Sequence, residues 1–135
     1  MSYAMGASLQ KAVHARLVAD MALAALVGPE IHDSVPPGAA AGTYVSLGPE
    51  DARDASDKTT DGAWHDFVVS VVSDEPGFLT VKQVAEAVSD ALVGAELMLE
   101  RGHLVGLWFQ RARARRVQAC AMRRIDLYFR ARVCD

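Results

Sequence analysis

Apolar and polar residues alternate most clearly near the C-terminus, between residues 103 and 133. Over the last part of this stretch the apolar residues recur at every second position, as in a strand with one buried face. The apolar set is Ile125, Leu127, Phe129, Ala131 and Val133, and the polar set is Arg124, Asp126, Tyr128, Arg130 and Arg132. A preceding strand is predicted from residue 104 to about 116, and its first apolar residues are Val105, Leu107 and Phe109. Together these segments predict a long C-terminal β-hairpin with one end in a core.

The other end of the hairpin is basic. Its arginines are Arg111, Arg113, Arg115, Arg116, Arg123 and Arg124, and we call them the arginine end. Three of them continue the spacing of the apolar residues in the first strand, so they are expected on the same face as Phe109. Unpaired charges are too costly to bury within a small domain. The arginine end should therefore meet water, an acidic protein surface or a polyanion.

The remaining chain contains two helical patterns and two further strand patterns. Apolar residues recur every three or four positions over residues 8–27 and 78–93, which predicts two amphipathic helices. The stripe of the first helix is predicted to hold Leu9, Val13, Leu17, Met21 and Ala24. Short alternating runs predict strands at residues 43–47 and 63–73. The proline-containing stretch 31–41 is expected to be a loop with a short extended piece at its start.

This order of elements predicts the fold class. Helix, strand, strand, helix, strand, strand is compatible with a two-layer α+β domain, in which a four-stranded, mainly antiparallel sheet carries both helices on one face. A chain of 135 residues with 51% hydrophobic residues is long enough for one such domain, spanning residues 1–135. The second sheet face would be too basic in some places and too apolar in others for a plain solvent surface.

An acidic run lies between the two central strands, over about residues 49–62. It has no apolar period, so we expect a long, mobile loop. Its aspartates Asp51, Asp54 and Asp57 are candidate partners for the arginine end. Residues 1–110 hold six Lys/Arg and fifteen Asp/Glu, whereas residues 111–135 hold eight Arg and two Asp. Such a split favours head-to-tail association, or a basic patch on an acidic protein.

Catalytic and cofactor signals are weak. The four histidines are scattered, and His65 is expected at the surface or rim. No phosphate-binding loop, nucleophile motif or metal-ligand spacing stands out. Cys120 and Cys134 are expected to be free thiols. The sequence also contains no apolar run of membrane-spanning length and no signal peptide pattern, so synthesis in the cytoplasm is expected.

Three interpretations of the arginine end remain open. It could be a solvated end that discourages aggregation of sheet edges. It could be a protein interface, in which arginine is enriched, and we favour this interpretation. It could also face nucleic acid phosphates. No aromatic residue interleaves with the arginines from Arg111 to Arg116, so base stacking is not indicated.

An ordered set of landmarks resembles the tail terminator, or tail-completion, proteins of long-tailed phages, in the version carried by gene transfer agents. The landmarks are Leu17, Asp20, Leu23 and Leu26 before Val27-Gly28, then Ile31-His32-Asp33, Val35-Pro36-Pro37-Gly38, Thr43-Tyr44-Val45, Leu47-Gly48, the Val81 to Leu92 helix and the ending Phe129 to Val133. They span nearly the whole chain. The arginine end departs from the family pattern, so the resemblance assigns it no role.

The resemblance implies a structural protein without enzyme activity or cofactor. It implies a ring, usually of six subunits, that caps the tail tube and joins it to the head connector or stopper. DNA would pass through the ring without sequence recognition, and the protein would end up at the neck of a phage-like particle, away from any membrane. A head-completion or neck adaptor is the alternative within this class. A small nucleic-acid-binding protein that uses the basic hairpin is the alternative outside it.

Overall fold

The computed structural model describes residues 3–33, 42–117 and 122–135. In this part the chain forms three helices and one five-stranded mixed sheet. The helices are α1 (Gly6–Ala19), α2 (Met21–Val27) and α3 (Leu79–Leu92). The strands are β1 (Ile31–His32), β2 (Thr43–Asp54), β3 (Gly62–Ser73), β4 (His103–Val117) and β5 (Met122–Cys134). The remainder of the predicted 31–41 loop and Cys120 lie outside the described residues.

The sheet order is β1-β2-β3-β5-β4. The three long pairings are antiparallel, as predicted, while the two residues of β1 pair in parallel with β2. The α+β class is therefore confirmed, but the prediction of four strands and two helices is wrong in detail. The short extended piece predicted after the first helix supplies the fifth strand, and it covers only Val45 and Ser46 of β2.

The predicted helix over residues 8–27 is two helices, because Asp20 interrupts it. Asp20 has an extended backbone (φ −75°, ψ 120°), and its carboxylate accepts a hydrogen bond from the Leu23 amide at 2.9 Å. An aspartate in this conformation is a favourable N-cap, so it begins a new helix. The break turns Leu23 into the core and leaves Met21 86% exposed. Met21 therefore does not lie on the buried stripe that the helical pattern predicted.

Strand β2 is longer than predicted, and the acidic loop is correspondingly shorter. An irregularity in the pairing with β3 lies between Leu47 and Glu50, after which pairing resumes as far as Asp54. This second half of β2 extends beyond β1, so it is an edge of the sheet that is open to solvent. An exposed edge strand tolerates charged residues, which hide the apolar period of a strand. The loop comprises residues 55–61, and its mobility stays a prediction.

The core lies between the three helices and one face of the sheet. The apolar set predicted for the last strand is buried, and its Phe129 stacks on Phe67 of β3 with ring centroids 5.6 Å apart. Helix α3 contributes Val81, Val84, Val88 and Leu92, which are fully buried. The opposite face of the sheet carries no helix in the described part of the chain. We call it the helix-free face.

Candidate interface on the helix-free sheet face

A β-bulge at Gln110 decides where the arginines of β4 point. Phe109 lies opposite Phe129 and Arg111 lies opposite Tyr128, so Gln110 has no partner position on β5. One extra residue reverses the alternation of the strand. The arginines that follow therefore occupy the face opposite to Phe109, and the prediction that they share its face is wrong.

A second irregularity lies between Leu104 and Gly106 of β4. It displaces Val105, whose side chain is 57% exposed although the sequence pattern predicted it in the core. Leu107, two residues later, is buried as predicted. Strand β4 is the outermost strand of the sheet, where bulges are common.

The arginine end is divided between the two faces of the sheet. Four of its members lie on the helix-free face, namely Arg111, Arg113, Arg115 and Arg124. The other two, Arg116 and Arg123, are paired across β4 and β5 on the helix side. The Arg123 guanidinium lies 6.0 Å from the ring centroid of Phe78. The six arginines are therefore near one another but do not form one surface.

Asp126 anchors two of the arginines on the helix-free face. Its Oδ1 atom accepts hydrogen bonds from Ser70 Oγ at 2.7 Å and from Arg124 Nε at 2.8 Å. A guanidinium nitrogen of Arg115 lies 3.5 Å from Oδ2. Burial by itself raises the pKa of Asp126. Hydrogen bonds from Ser70 and Arg124, together with the positive charges of Arg124 and Arg115, lower it by more than burial raises it, so the pKa is below its ordinary value. Exposed Arg113, in contrast, makes no ion pair within the described residues.

Two tryptophans from neighbouring parts of the sheet form an aromatic platform with arginines. The ring centroids of Trp64 and Trp108 are 6.0 Å apart. The guanidinium groups of Arg130 and Arg132 lie 5.6 Å and 5.1 Å from the Trp64 centroid. Arg130 also donates to the carboxylate of Asp66 at 2.8 Å. Tryptophan and arginine in this arrangement are typical of the centres of protein interfaces.

A concavity of about 500 Å³ adjoins this platform. It lies between the irregular segments of β2 and β4, and its polar lining includes Asp51, Asp66, Gln110, Arg111, Tyr128 and Arg130. The Arg111 guanidinium lies 4.1 Å from the centroid of the Tyr128 ring. Aromatic rings therefore do alternate with arginines on this face. The sequence did not show this because the rings come from neighbouring strands.

The three aspartates predicted to face the arginines are not together. Asp51 lies on the helix-free face, opposite Asp66 in the β2–β3 pairing. Asp54 ends β2, and Asp57 lies in the loop that follows. The arginine end lies toward the opposite end of the sheet, since about five to nine residues of β5 separate its members on the helix-free face from the loop, and each residue spans roughly 3.3 Å. Asp54 and Asp57 therefore cannot reach the arginine end of the same subunit.

Hydrogen bonds organise the two loop-side aspartates. Asp54 accepts from the Ser56 hydroxyl at 2.6 Å, and this bond lowers the pKa of Asp54. Asp57 accepts from the amides of Thr59 and Thr60 at 2.9 and 2.8 Å, and these bonds lower the pKa of Asp57. Both carboxylates are therefore ionised near neutral pH and held in turns that an asparagine could also form.

His65 is buried rather than at the surface, which corrects the sequence interpretation. Its side chain is 1% exposed, and Nδ1 lies 3.1 Å from Glu50 Oε2. The Tyr3 hydroxyl donates to the other oxygen of Glu50. Burial by itself raises the pKa of Glu50. Hydrogen bonds from His65 and Tyr3 lower it by more than burial raises it, so the pKa of Glu50 is below its ordinary value. This cluster holds the charged half of β2 against the helix side of the sheet.

Charge is separated by face rather than only by position along the chain. The pairing registers place seven arginines and three aspartates on the helix-free face. The aspartates are Asp51, Asp66 and Asp126, and the arginines are Arg53, Arg111, Arg113, Arg115, Arg124, Arg130 and Arg132. The rest of the chain holds seven Lys/Arg and fourteen Asp/Glu. The helix-free face therefore carries a net positive charge and the remainder of the molecule a net negative charge, and we call these the basic side and the acidic side.

Within the described residues, no group of three or more His, Cys, Asp or Glu side chains could hold a metal ion. None of the helices in these same ranges is long and apolar enough to cross a membrane. The features that stand out on the surface are therefore its charges and its aromatic platform, and both are suited to binding a macromolecule.

Comparison with known proteins agrees with the resemblance seen in the sequence. No curated protein matches the chain in sequence. A chain in the solved structure "Virion of native gene transfer agent (GTA) particle" is 66% identical, with a TM-score of 0.93 over 99% of this chain and 100% of that chain. The family model described as "Tail completion protein gp17" matches residues 11–134. The chain belongs to the tail completion protein gp17 family.

Proposed function

We propose that this protein is a structural component of a phage-like particle, where it forms a hexameric ring that caps the tail tube and joins it to the head connector. The family membership and the close similarity to a chain of a gene transfer agent virion support a structural role in the tail. On this proposal the protein is made in the cytoplasm and becomes part of the particle neck. DNA passes through the ring without sequence recognition.

The observation that carries the proposal is the separation of charge between the two sides of the subunit. Seven arginines face one way, while most acidic residues lie on the helices and loops. Two identical basic faces repel each other, so this distribution opposes a two-fold contact. It favours a heterologous contact in which the basic side of one subunit meets the acidic side of the next. Such contacts close into rings when the rotation between subunits permits.

The arginine end and the 54–57 region of a neighbouring subunit are the first candidate contact. Arg113 is exposed and makes no ion pair in the described part of the chain, while Asp54 and Asp57 are held by short turns. The two groups lie at opposite ends of the same sheet, so they meet only between subunits. Asp51 is not part of this proposed contact, because it lies on the helix-free face together with the arginines.

Imaging of particles with and without the protein tests the proposed function. In particles that contain the protein, we expect density for the ring at the junction of tail and head. In a preparation made without the protein, we expect heads and tails that are not joined, and tails of uncontrolled length. An uncapped tube retains a free end to which tube subunits continue to add. Tails of normal length on particles without the protein would contradict a capping role. A ring on heads, with normally capped tails, would favour the head-completion alternative.

A double-mutant cycle tests the proposed subunit contact. Arg113→Gln and Asp57→Asn each remove one charge, and asparagine retains the acceptor oxygen of the turn. Each change should weaken ring assembly, and the combined loss should be smaller than the sum of the two. Lys82→Gln on α3 is the matched control, and its effect on ring assembly should simply add to the effect of Asp57→Asn. Strictly additive effects of the Arg113 and Asp57 changes would contradict this contact.

The same Arg113 variant distinguishes a protein contact from a DNA contact. If the arginine end faces the DNA channel, rings of the Arg113→Gln variant assemble normally while DNA is lost from the particle or displaced in it. Assembly would be measured by sedimentation velocity of the purified protein. DNA content would be measured in particles carrying the same variant.

A further inference from the structure

We infer that the aromatic platform on the helix-free face receives residues 95–100 of a neighbouring copy of this chain, with Met98 as the central contact. The platform consists of Trp64 and Trp108 with the arginines around them. This inference rests on the proposed ring. It adds to the arginine end a second contact, of mixed apolar and ionic chemistry, that the sequence did not indicate.

Residues 95–100 present alternate side chains to solvent. Leu97 and Leu99 pack against the hydrophobic core, whereas Glu96, Met98 and Glu100 are exposed. Met98 is 92% exposed. An apolar side chain so fully exposed between two carboxylates is suited to insertion into an apolar site with a basic rim.

The segment is held in this conformation by contacts on both sides. Gly94 and Gly102 flank it with positive φ angles of 71°, which favour glycine. The Arg101 amide donates to Ser8 Oγ at 3.1 Å, and Lys11 lies 3.3 Å from Glu100. The Lys11–Glu100 pair is solvent-exposed, so Glu100 can be shared with a partner arginine at little cost. A segment already held in one conformation loses little entropy on binding.

The spacing of the platform matches the spacing of the segment. Along the helix-free face of the β4–β5 pair, successive positions hold Arg132, then Trp108 beside Arg130, then Arg111 beside Tyr128. Each step is about two strand residues, roughly 7 Å. In an extended segment, Glu96, Met98 and Glu100 are separated by the same step. A methionine over Trp108 therefore places its two flanking carboxylates next to arginines.

The chemistry of each position is complementary. A methionine sulfur makes favourable contacts with aromatic rings. The Arg111 guanidinium stacks on Tyr128 and meets no carboxylate within the described residues, so it remains available for one. Arg132 donates to the Ala55 carbonyl at 2.8 Å and makes no ion pair in the described ranges, although its charge contributes to the lowered pKa of Asp57. Residues 95–100 contain two glutamates and no basic residue.

A second copy is the occupant because the two surfaces lie on opposite sides of one subunit. The segment runs beside α1, as its contacts with Ser8 and Lys11 show. The platform lies on the other face of the sheet. Met98 therefore cannot reach the platform of its own subunit, and a copy that offers one surface to each neighbour forms the head-to-tail contact that a ring requires.

Site-specific photo-crosslinking tests this placement directly. A benzoylphenylalanine residue would replace Met98 in the full-length protein, both purified and in assembled particles, and crosslinked peptides would be identified by mass spectrometry. We expect a crosslink to peptides of a second copy that contain Trp108 or Tyr128. The same probe at Met21, which is 86% exposed on α2, is the control and should not reach these peptides. A crosslink from position 98 to the helix layer of another copy, to a different protein, or to no protein would overturn the inference.

Mixing two defective variants tests whether the contact is directional. Met98→Ala and Trp108→Ala should each weaken assembly by about tenfold or more, whereas Met21→Ala should not. Each variant retains one intact surface, so an equimolar mixture should form a one-to-one dimer that does not grow into a ring. Two variants that both assemble like the wild type, or that form no dimer when mixed, would overturn the inference.

Failure of this inference and failure of the proposed function give different results. If the wild type and both variants assemble and cap tails, only this inference fails. Uncapped tails in wild-type particles would instead refute the proposed function.

Discussion

At the scale of single residues, buried carboxylates are tolerated where several donors converge on them. Asp126 accepts from Ser70 and Arg124 and lies near Arg115, and its side chain is only 8% exposed. Glu50 is satisfied in the same way by His65 and Tyr3. These groups hold the charged strands in register, because a buried acceptor that loses its donors costs free energy.

Replacing Asp126 by asparagine should destabilise the fold at neutral pH. We expect the free energy of unfolding to fall by about 1.5–3 kcal/mol, the usual range for hydrogen bonds to a charged group. The pKa of Asp126 is lower in the folded chain, so the ionised form stabilises the fold above the unfolded value of about 4, and this contribution is lost as the pH falls through the folded value. Urea unfolding at pH 7 and pH 3 would therefore show a difference between wild type and variant that shrinks in acid. Asp90→Asn, at an exposed position of α3, is the control, and an equally large loss there would contradict the explanation.

At the scale of secondary structure elements, single residues that interrupt a regular pattern decide where the surface chemistry lies. Asp20 divides one helical pattern into two helices. Gln110 reverses the alternation of β4 and places Arg111, Arg113 and Arg115 on the helix-free face. Ala112 and Ala114, which lie between these arginines, are exposed on the other face. Burial of apolar side chains therefore does not fix which face of this end of β4 points to the helices.

Deleting residues 110 and 111 together should move Arg113 and Arg115 to the helix side while the chain still folds. Ala112 would then follow Phe109 directly, so the two arginines would take the face of Phe109. Ring assembly should be lost, because the helix-free face would no longer carry these charges. Deleting Gln110 alone is the control, since it removes only the extra residue of the bulge, leaves the later registers unchanged and should retain assembly. Circular dichroism would check folding and mass photometry would detect rings, and assembly of the two-residue deletion at wild-type concentration would contradict this account.

At the scale of the whole molecule, the fold separates charges that are mixed along the chain. Strand pairing gathers arginines from β2, β4 and β5 onto one sheet face. The helices and loops carry most of the acidic residues. The result is a subunit with two unlike sides, which is the form that a head-to-tail ring requires.

Assembly should therefore weaken as salt is added. Exposed ion pairs are screened over about 10 Å at 0.1 M ionic strength and over about 3 Å at 1 M. Sedimentation velocity between about 0.05 and 0.5 M salt should show a falling fraction of rings. The Arg113→Gln variant should show a smaller dependence, since it has one charged contact fewer. Assembly that is independent of salt would contradict a contact between the basic and acidic sides.

The sequence alone determined the elements whose pattern is set by burial. The alternation of Ile125, Leu127 and Phe129 predicted β5 and its core face, because only one face of that strand is covered. The same holds for the apolar stripe of α3 and for the strand at residues 63–73. The ordered landmarks also predicted the family, and the family model confirmed it.

Only the tertiary structure decided which arginines share a surface and what lies beside them. The bulge at Gln110 has no signature in a sequence where arginine and alanine simply alternate, yet it reverses the face of every later residue. Strand pairing brought Trp64 next to Trp108 from distant parts of the chain. The charged half of β2 has no apolar period, so the sequence predicts a loop there. It is nevertheless a strand, because an edge strand needs no apolar period when its partner strand supplies the hydrogen bonds. Burial is recorded locally in a sequence, whereas register and pairing depend on segments far apart.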